Sequence, residues 1–133
     1  MVWKYVKQLE TEENINDFEC LVRYSFPEDF RKCVKNYNGG RPSKRAFDTD
    51  RRKERELKSL LSFNKGDRET VWKIHDWNSN ELADRYIAFA IDNFGNLICF
   101  DANNDKVVFL DLESSCFEKV ADTFSAFLDC LYD

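Results

Sequence analysis

The sequence contains one histidine, His75, only four glycines and two prolines, and its five cysteines include no Cys-x-x-Cys pair. Each scarcity closes a line of chemistry. Gly39, Gly40, Gly66 and Gly95 build neither Gly-x-x-x-x-Gly-Lys nor Gly-x-Gly-x-x-Gly, so the common phosphate cradles are absent. There is no Gly-x-Ser-x-Gly elbow for serine hydrolysis. Cys20, Cys33, Cys99, Cys116 and Cys130 lie far apart and are odd in number, which suits neither a zinc site nor a disulfide framework. Reduced thiols are expected, with Cys33 and Cys99 acting as small hydrophobes in apolar patterns. No metal and no cofactor is expected. No apolar run approaches the roughly 20 residues of a membrane span. The first ten residues lack the apolar core of a secretion signal, so a cytoplasmic location and no membrane partner are expected.

What is present is aromatic and charged. Hydrophobic residues make up 43% of the 133, twelve of them Phe, which argues against disorder and for a buried core. Net charge is −5 but unevenly spread. Positions 41–58 carry eight Lys/Arg against four Asp/Glu, whereas 101–133 carry eight Asp/Glu against Lys106 and Lys119. The acidic end should repel nucleic acid and attract basic partners.

Periodicity divides the chain into helices, then strands, then a helix. Thr11-Glu12-Glu13 predicts a helix start, followed by Ile15, Phe18, Leu21 and Val22. Pro27-Glu28-Asp29 predicts a second start. Phe30, Cys33, Val34 and Tyr37 then form a stripe that Asn38-Gly39-Gly40 ends. Residues 41–56 read as an exposed loop around a short strand at Ala46-Phe47. Leu57–Phe63 reads as a strand, and Asn64-Lys65-Gly66-Asp67 as a turn. Thr70–Trp77 reads as a short helix. Tyr86–Asp92, Leu97–Phe100 and Val107–Leu112 read as strands joined by turns at 93–96 and 101–105, which implies an antiparallel meander. The chain closes with a helix capped by Asp122, carrying Phe124, Phe127, Leu128 and Leu131. This order predicts an α+β domain over 1–133: a twisted antiparallel sheet of about four to six strands, flanked by N-terminal helices and a C-terminal helix.

Candidate chemistry is sparse. A catalytic His75 needs a thiol or carboxylate brought to it by the fold. Asp101-Ala-Asn103-Asn-Asp105 begins like a calcium loop, but Lys106 stands where Gly is needed and Leu112 where a Glu is needed, so it reads as a turn. Arg51-Arg52-Lys53-Glu54-Arg55 is broken by acids and is a poor nucleic-acid footprint. Asp92, Asp101, Asp105, Asp111 and Glu113 fall in and around the strands, where they read first as turn-forming and solubilising residues; the other reading is that hairpin pairing brings several onto one rim as an acidic docking face. Trp77, Asp92, Asn93, Asp101, Asp105 and Glu113 are the candidate partner contacts, because interface anchors favour aromatic side chains and complementary charge. Pro27, Tyr37, Asn38, Gly39, Gly40 and Gly95 are expected to shape the backbone.

Several of these segments together resemble the SUKH superfamily, which includes a yeast regulator of cell-wall synthesis and many bacterial immunity proteins. Phe26-Pro27-Glu28-Asp29-Phe30 with Asn36-Tyr37-Asn38-Gly39-Gly40 resembles its N-terminal signature. Ile87–Asp101, Val107–Glu113 and Val120–Phe124 with Phe127-Leu128 resemble its later strands and closing helix. The match departs at 41–56. The resemblance implies a non-enzymatic immunity protein that neutralises a toxin domain such as a nuclease; a monomer or weak homodimer is expected. A regulatory scaffold without a toxin partner remains the alternative.

Overall fold

The computed structural model describes residues 1–133. Helix α1 (Glu13–Val22) starts where the Thr11 hydroxyl accepts from the Glu13 amide (3.2 Å) and stops at Arg23, whose φ of 56° turns the chain left-handed. It buries Ile15 and Phe18 and leaves Leu21 exposed. Pro27 sets the entry to α2 (Glu28–Tyr37), with Glu28 and Asp29 complementing the helix dipole. The helix ends in a type II turn. Asn38 has φ −48° and ψ 127°, Gly39 has φ 68°, and the Gly40 amide donates to the Tyr37 carbonyl at 2.8 Å.

The main sheet runs in sequence order: β3 (Ala46–Phe47), β4 (Arg55–Leu60), β5 (Tyr86–Asp92), β6 (Leu97–Asp101), β7 (Val107–Asp111) and β8 (Cys116–Ala121), every pair antiparallel. A two-stranded sheet joins β1 (Trp3–Lys4) to β2 (Arg41–Pro42). Helix α3 (Val71–Trp77) is capped by the Thr70 hydroxyl, and α4 (Ser79–Leu82) follows at once. The closing helix is α5 (Phe124–Cys130). The α+β class and the meander therefore stand as the sequence predicts.

The twist inherent to β-sheets is strong enough to bring side chains of distant strands together. Arg55 on β4 reaches Glu118 on β8 at 3.2 Å, and Tyr86 on β5 stacks on Phe117 of β8 at 3.8 Å. Phe30 of α2 meets Phe89, Phe100 and Phe124 at 5.1–5.3 Å, nearly edge to face. Such pairs add about 0.5–1.5 kcal/mol each beyond the area they bury. Phe26, Phe63 and Phe18 continue this aromatic seam beneath α1.

Two expectations are corrected, the α5 cap and the bounds of β4. Residues 41–56 are mostly exposed around the short strand at Ala46–Phe47, as the sequence predicts, and they are anchored to the rest of the fold. Glu118 is buried and accepts from the Arg51 amide (2.7 Å) and from Arg55, whose guanidinium lies over the Phe109 ring. Thr49 and Arg52 close a turn on each other, and Ala46 bridges to Tyr132. The cap of α5 is Thr123, whose hydroxyl accepts from the Ala126 amide, while Asp122 pairs with Lys119. Asp29 of α2 adds a second cap by accepting from the Ser125 amide and hydroxyl. Strand β4 runs from Arg55 to Leu60 rather than from Leu57 to Phe63. Beyond it Ser62 bridges to Thr70, so the chain turns away from the sheet.

Gly39 and Gly95 (φ 82°) both hold left-handed backbone, which costs a non-glycine residue about 1–2 kcal/mol. A Cβ at Gly95 meets open space, whereas one at Gly39 lies 3.0 Å from Cγ of Lys7. Thermal melting should therefore show both Gly39→Ala and Gly95→Ala destabilised, Gly39→Ala by more. Equal shifts would contradict the packing of the N-terminal segment against this turn.

Candidate functional site

The predicted contact residues separate into two kinds. Trp77 projects from the end of α3 and is 69% exposed. Asn93 is exposed at the β5–β6 turn, with its amide on Glu56 (3.1 Å). Glu113 is exposed between β7 and β8. Asp105 is exposed in the β6–β7 turn and accepts from the Tyr24 hydroxyl at 2.7 Å. Burial, reinforced by that hydrogen bond, pushes the Tyr24 phenol upward.

Asp92 and Asp101 are a correction: each is only 4% exposed and faces inward. Asp92 accepts from the Phe94 and Asn96 amides, both at 2.8 Å, and so closes a three-residue loop with Gly95 in its left-handed position. Asp101 holds the Arg85 guanidinium through two bonds (3.0 and 2.9 Å) and caps its own turn through the Asn103 amide. The Arg85 guanidinium keeps the Asp101 carboxyl below its ordinary pKa. These two carboxylates are turn-formers, placed inside because their acceptors satisfy backbone donors that would otherwise be buried unpaired.

The single acidic rim is also corrected. Tyr86 pairs with Asp101, and Ile91 with Leu97. This register puts Asp92 at one end of the meander and Asp101 at the other. Asp111 and Glu113 fall near Asp92, since the Leu112 amide donates to Asn96, while Asp105 lies with Asp101. At about 3.3 Å per residue, the strands hold the two groups well over 10 Å apart. No three His, Cys, Asp or Glu side chains are grouped as metal ligands would be.

The shaping residues serve different purposes. Pro27 sets the start of α2, and Tyr37 stacks on Trp3 at 5.3 Å. Gly40 leaves room for Trp3 and Val6, which its Cβ would approach to 3.2 and 3.3 Å. Asn38 is fully buried. Its side-chain amide donates to the Lys7 carbonyl (2.7 Å) and the Ser62 hydroxyl (2.9 Å), and its oxygen accepts from the Phe63 amide (2.9 Å).

His75 lines a cavity of about 450 Å³ with Arg23, Asp84, Tyr86 and the apolar Leu21, Val22 and Ile87. Its ring meets the Phe18 edge at 5.8 Å, and Nδ1 is buried without a polar partner. Burial lowers its pKa, against the opposing charges of Asp84 and Asp76. No thiol lines this cavity. Burial, reinforced by Asp29, pushes the Cys33 thiol up to about 12, and burial raises Cys99 further.

A larger cavity, about 610 Å³, went unforeseen. It opens where Tyr5, Lys7, Gly39 and Arg41 meet the outer part of β4 and the 67–69 loop. The basic 41–58 stretch and the N-terminal Trp-Lys-Tyr-Val-Lys carried its signal, but only the fold brings them together.

This is a helix-flanked, curled antiparallel sheet with exposed turns and a polar cleft at its N-terminal side. The sequence matches the family model described as SMI1-KNR4 cell-wall (SUKH_6) over residues 12–128. The chain belongs to this family of the SUKH superfamily. A search of curated proteins finds no match.

Because the folded-state pKa of His75 lies below the roughly 6.5 of an unfolded histidine, the unfolded chain binds the proton first. Stability should be unaffected by His75 above pH 6.5 and should fall as pH drops through that value toward the folded pKa. Urea midpoints between pH 7.5 and 5.5 should therefore fall more in the wild type than in His75→Phe. An equal or larger fall in the variant would contradict the burial of the ring.

Proposed function

We propose that the chain is an immunity-type binding protein that neutralises a cognate bacterial toxin by stoichiometric association, without catalysis. The observation that carries this reading is membership of a SUKH family over nearly the whole chain, on a frame whose exposed anchors sit at turns and element ends. Trp77, Asn93, Asp105 and Glu113 are proposed contacts. Exposed aromatic anchors are the side chains that dominate interface energies. The alternative is a regulatory scaffold domain without a toxin partner, which the family's cell-wall description favours. Both predict a protein partner.

Titrating a toxin encoded beside this gene with the purified chain separates them. Toxin activity should fall in proportion to added chain and vanish near one equivalent. Full activity of every neighbouring toxin at excess chain, with recovery of only housekeeping proteins from the native host, would leave the scaffold reading.

A further inference from the structure

The cleft at the N-terminal side differs in charge from the rest of this acidic chain. Four cations, Lys7, Arg41, Lys58 and Arg68, face two carboxylates, Asp67 and Glu69. Both carboxylates are already engaged. Glu69 pairs with Lys58 at 2.9 Å, and Asp67 accepts from the Ser62 hydroxyl (2.6 Å) and the Asn64 amide (3.2 Å). Lys7, Arg41 and Arg68 make no ion pair. The lining therefore carries four positive and two negative charges, a net +2, and three of its cations lack an ion-pair partner, on a molecule of net charge −5.

The site is also preorganised. Two of its lining residues, Lys7 and Ser62, are tied together through the buried Asn38 side chain, which also binds the Phe63 amide. On its rim, Tyr5 is 69% exposed and holds left-handed backbone (φ 56°), a conformation costly for a bulky side chain. The Arg41 guanidinium lies over the Tyr5 ring, 5.2 Å from its centre. That contact orients the planar fork whose geometry matches a carboxylate in a two-bond pair. Exposed Tyr and Arg side by side are the residue types most enriched among interface anchors.

We propose that this cleft receives the carboxylates of an acidic surface loop on a protein partner. The proposal rests on the reading of the chain as a protein binder and names the chemistry of one contact. A polyanion fits less well. Nucleic acid needs a continuous basic stripe, and Asp67 and Glu69 interrupt the cations of this lining. A loop bearing two or three carboxylates stays within the cleft and replaces the missing counter-charges.

The test uses the full, isotope-labelled chain in NMR titrations with three probes. These are an acetylated, amidated hexapeptide of alternating aspartate and glutamate, its asparagine–glutamine counterpart, and a short oligothymidylate. The acidic peptide should shift the amides of Tyr5, Lys7, Gly39 and Arg68 saturably, and high salt should reverse the effect. The neutral peptide should not shift them. The double variant Arg41→Gln, Arg68→Gln should bind the acidic peptide at least about tenfold more weakly with unchanged melting. Equal shifts from the neutral peptide, tighter binding of the oligothymidylate, or undiminished peptide binding by the variant would overturn the proposal. The toxin titration separates the two readings. A double variant that inhibits as well as wild type overturns the cleft alone. A wild-type chain that inhibits nothing defeats the immunity reading, while the peptide result still decides the cleft.

Discussion

The buried amide of Asn38 is the constraint on which the N-terminal half depends. It uses both side-chain donors and its acceptor at once, joining the segment before α1, the end of α2 and the chain leaving β4. Its backbone carbonyl also accepts from the Lys7 amide at 2.7 Å. In a dry interior, each partner left unpaired costs about 1–3 kcal/mol. The network is therefore worth more as a set than any one contact implies. Asn38 takes this position because the type II turn places it beside Gly39, the one residue type that accepts the next backbone angle without strain.

The rest follows from that placement. With the N-terminal segment fixed, Trp3 lies on Tyr37 and above Gly40, and Tyr5 and Lys7 come to line a cleft with Arg41 and Arg68. On the other side, the aromatic seam from Phe18 to Phe124 locks the helices to the sheet. The Arg55–Glu118 pair anchors the charged middle stretch to β8. Breaking one partner of so buried a pair leaves an uncompensated charge, so the stretch is held rather than merely attracted.

Helix stripes and turn residues were legible because their periods and backbone demands are local. The α2 stripe, Gly39, Gly95 and the three central strands all stand within a residue or two of their expected places. Strand β8 was not legible: its inward position is Glu118, not an apolar residue, and only the distant Arg55 makes that burial tolerable. For Asp92 and Asp101 the turn-forming reading holds and the contact reading does not, for a related reason. A carboxylate that caps a turn and one that greets a partner look alike until the register shows which way each faces. The cleft was hidden because its walls, from Tyr5 to Glu69, lie more than sixty residues apart in sequence, and charge counted along the chain carries no information about convergence. The α5 cap was displaced by one residue, from Asp122 to Thr123, where the hydroxyl reaches the Ala126 amide.

The central claim is that Asn38 holds the N-terminal segment and the end of β4 as one rigid support. Amide hydrogen exchange in Asn38→Leu tests it most directly. Protection should be lost at Phe63, whose amide bonds to the Asn38 side chain, and at Lys7, whose bond to the Asn38 backbone carbonyl depends on that side chain holding the Lys7 carbonyl, while β5, β6 and β7 keep theirs. Unchanged protection at Lys7 and Phe63, or a uniform loss across the central sheet, would contradict it.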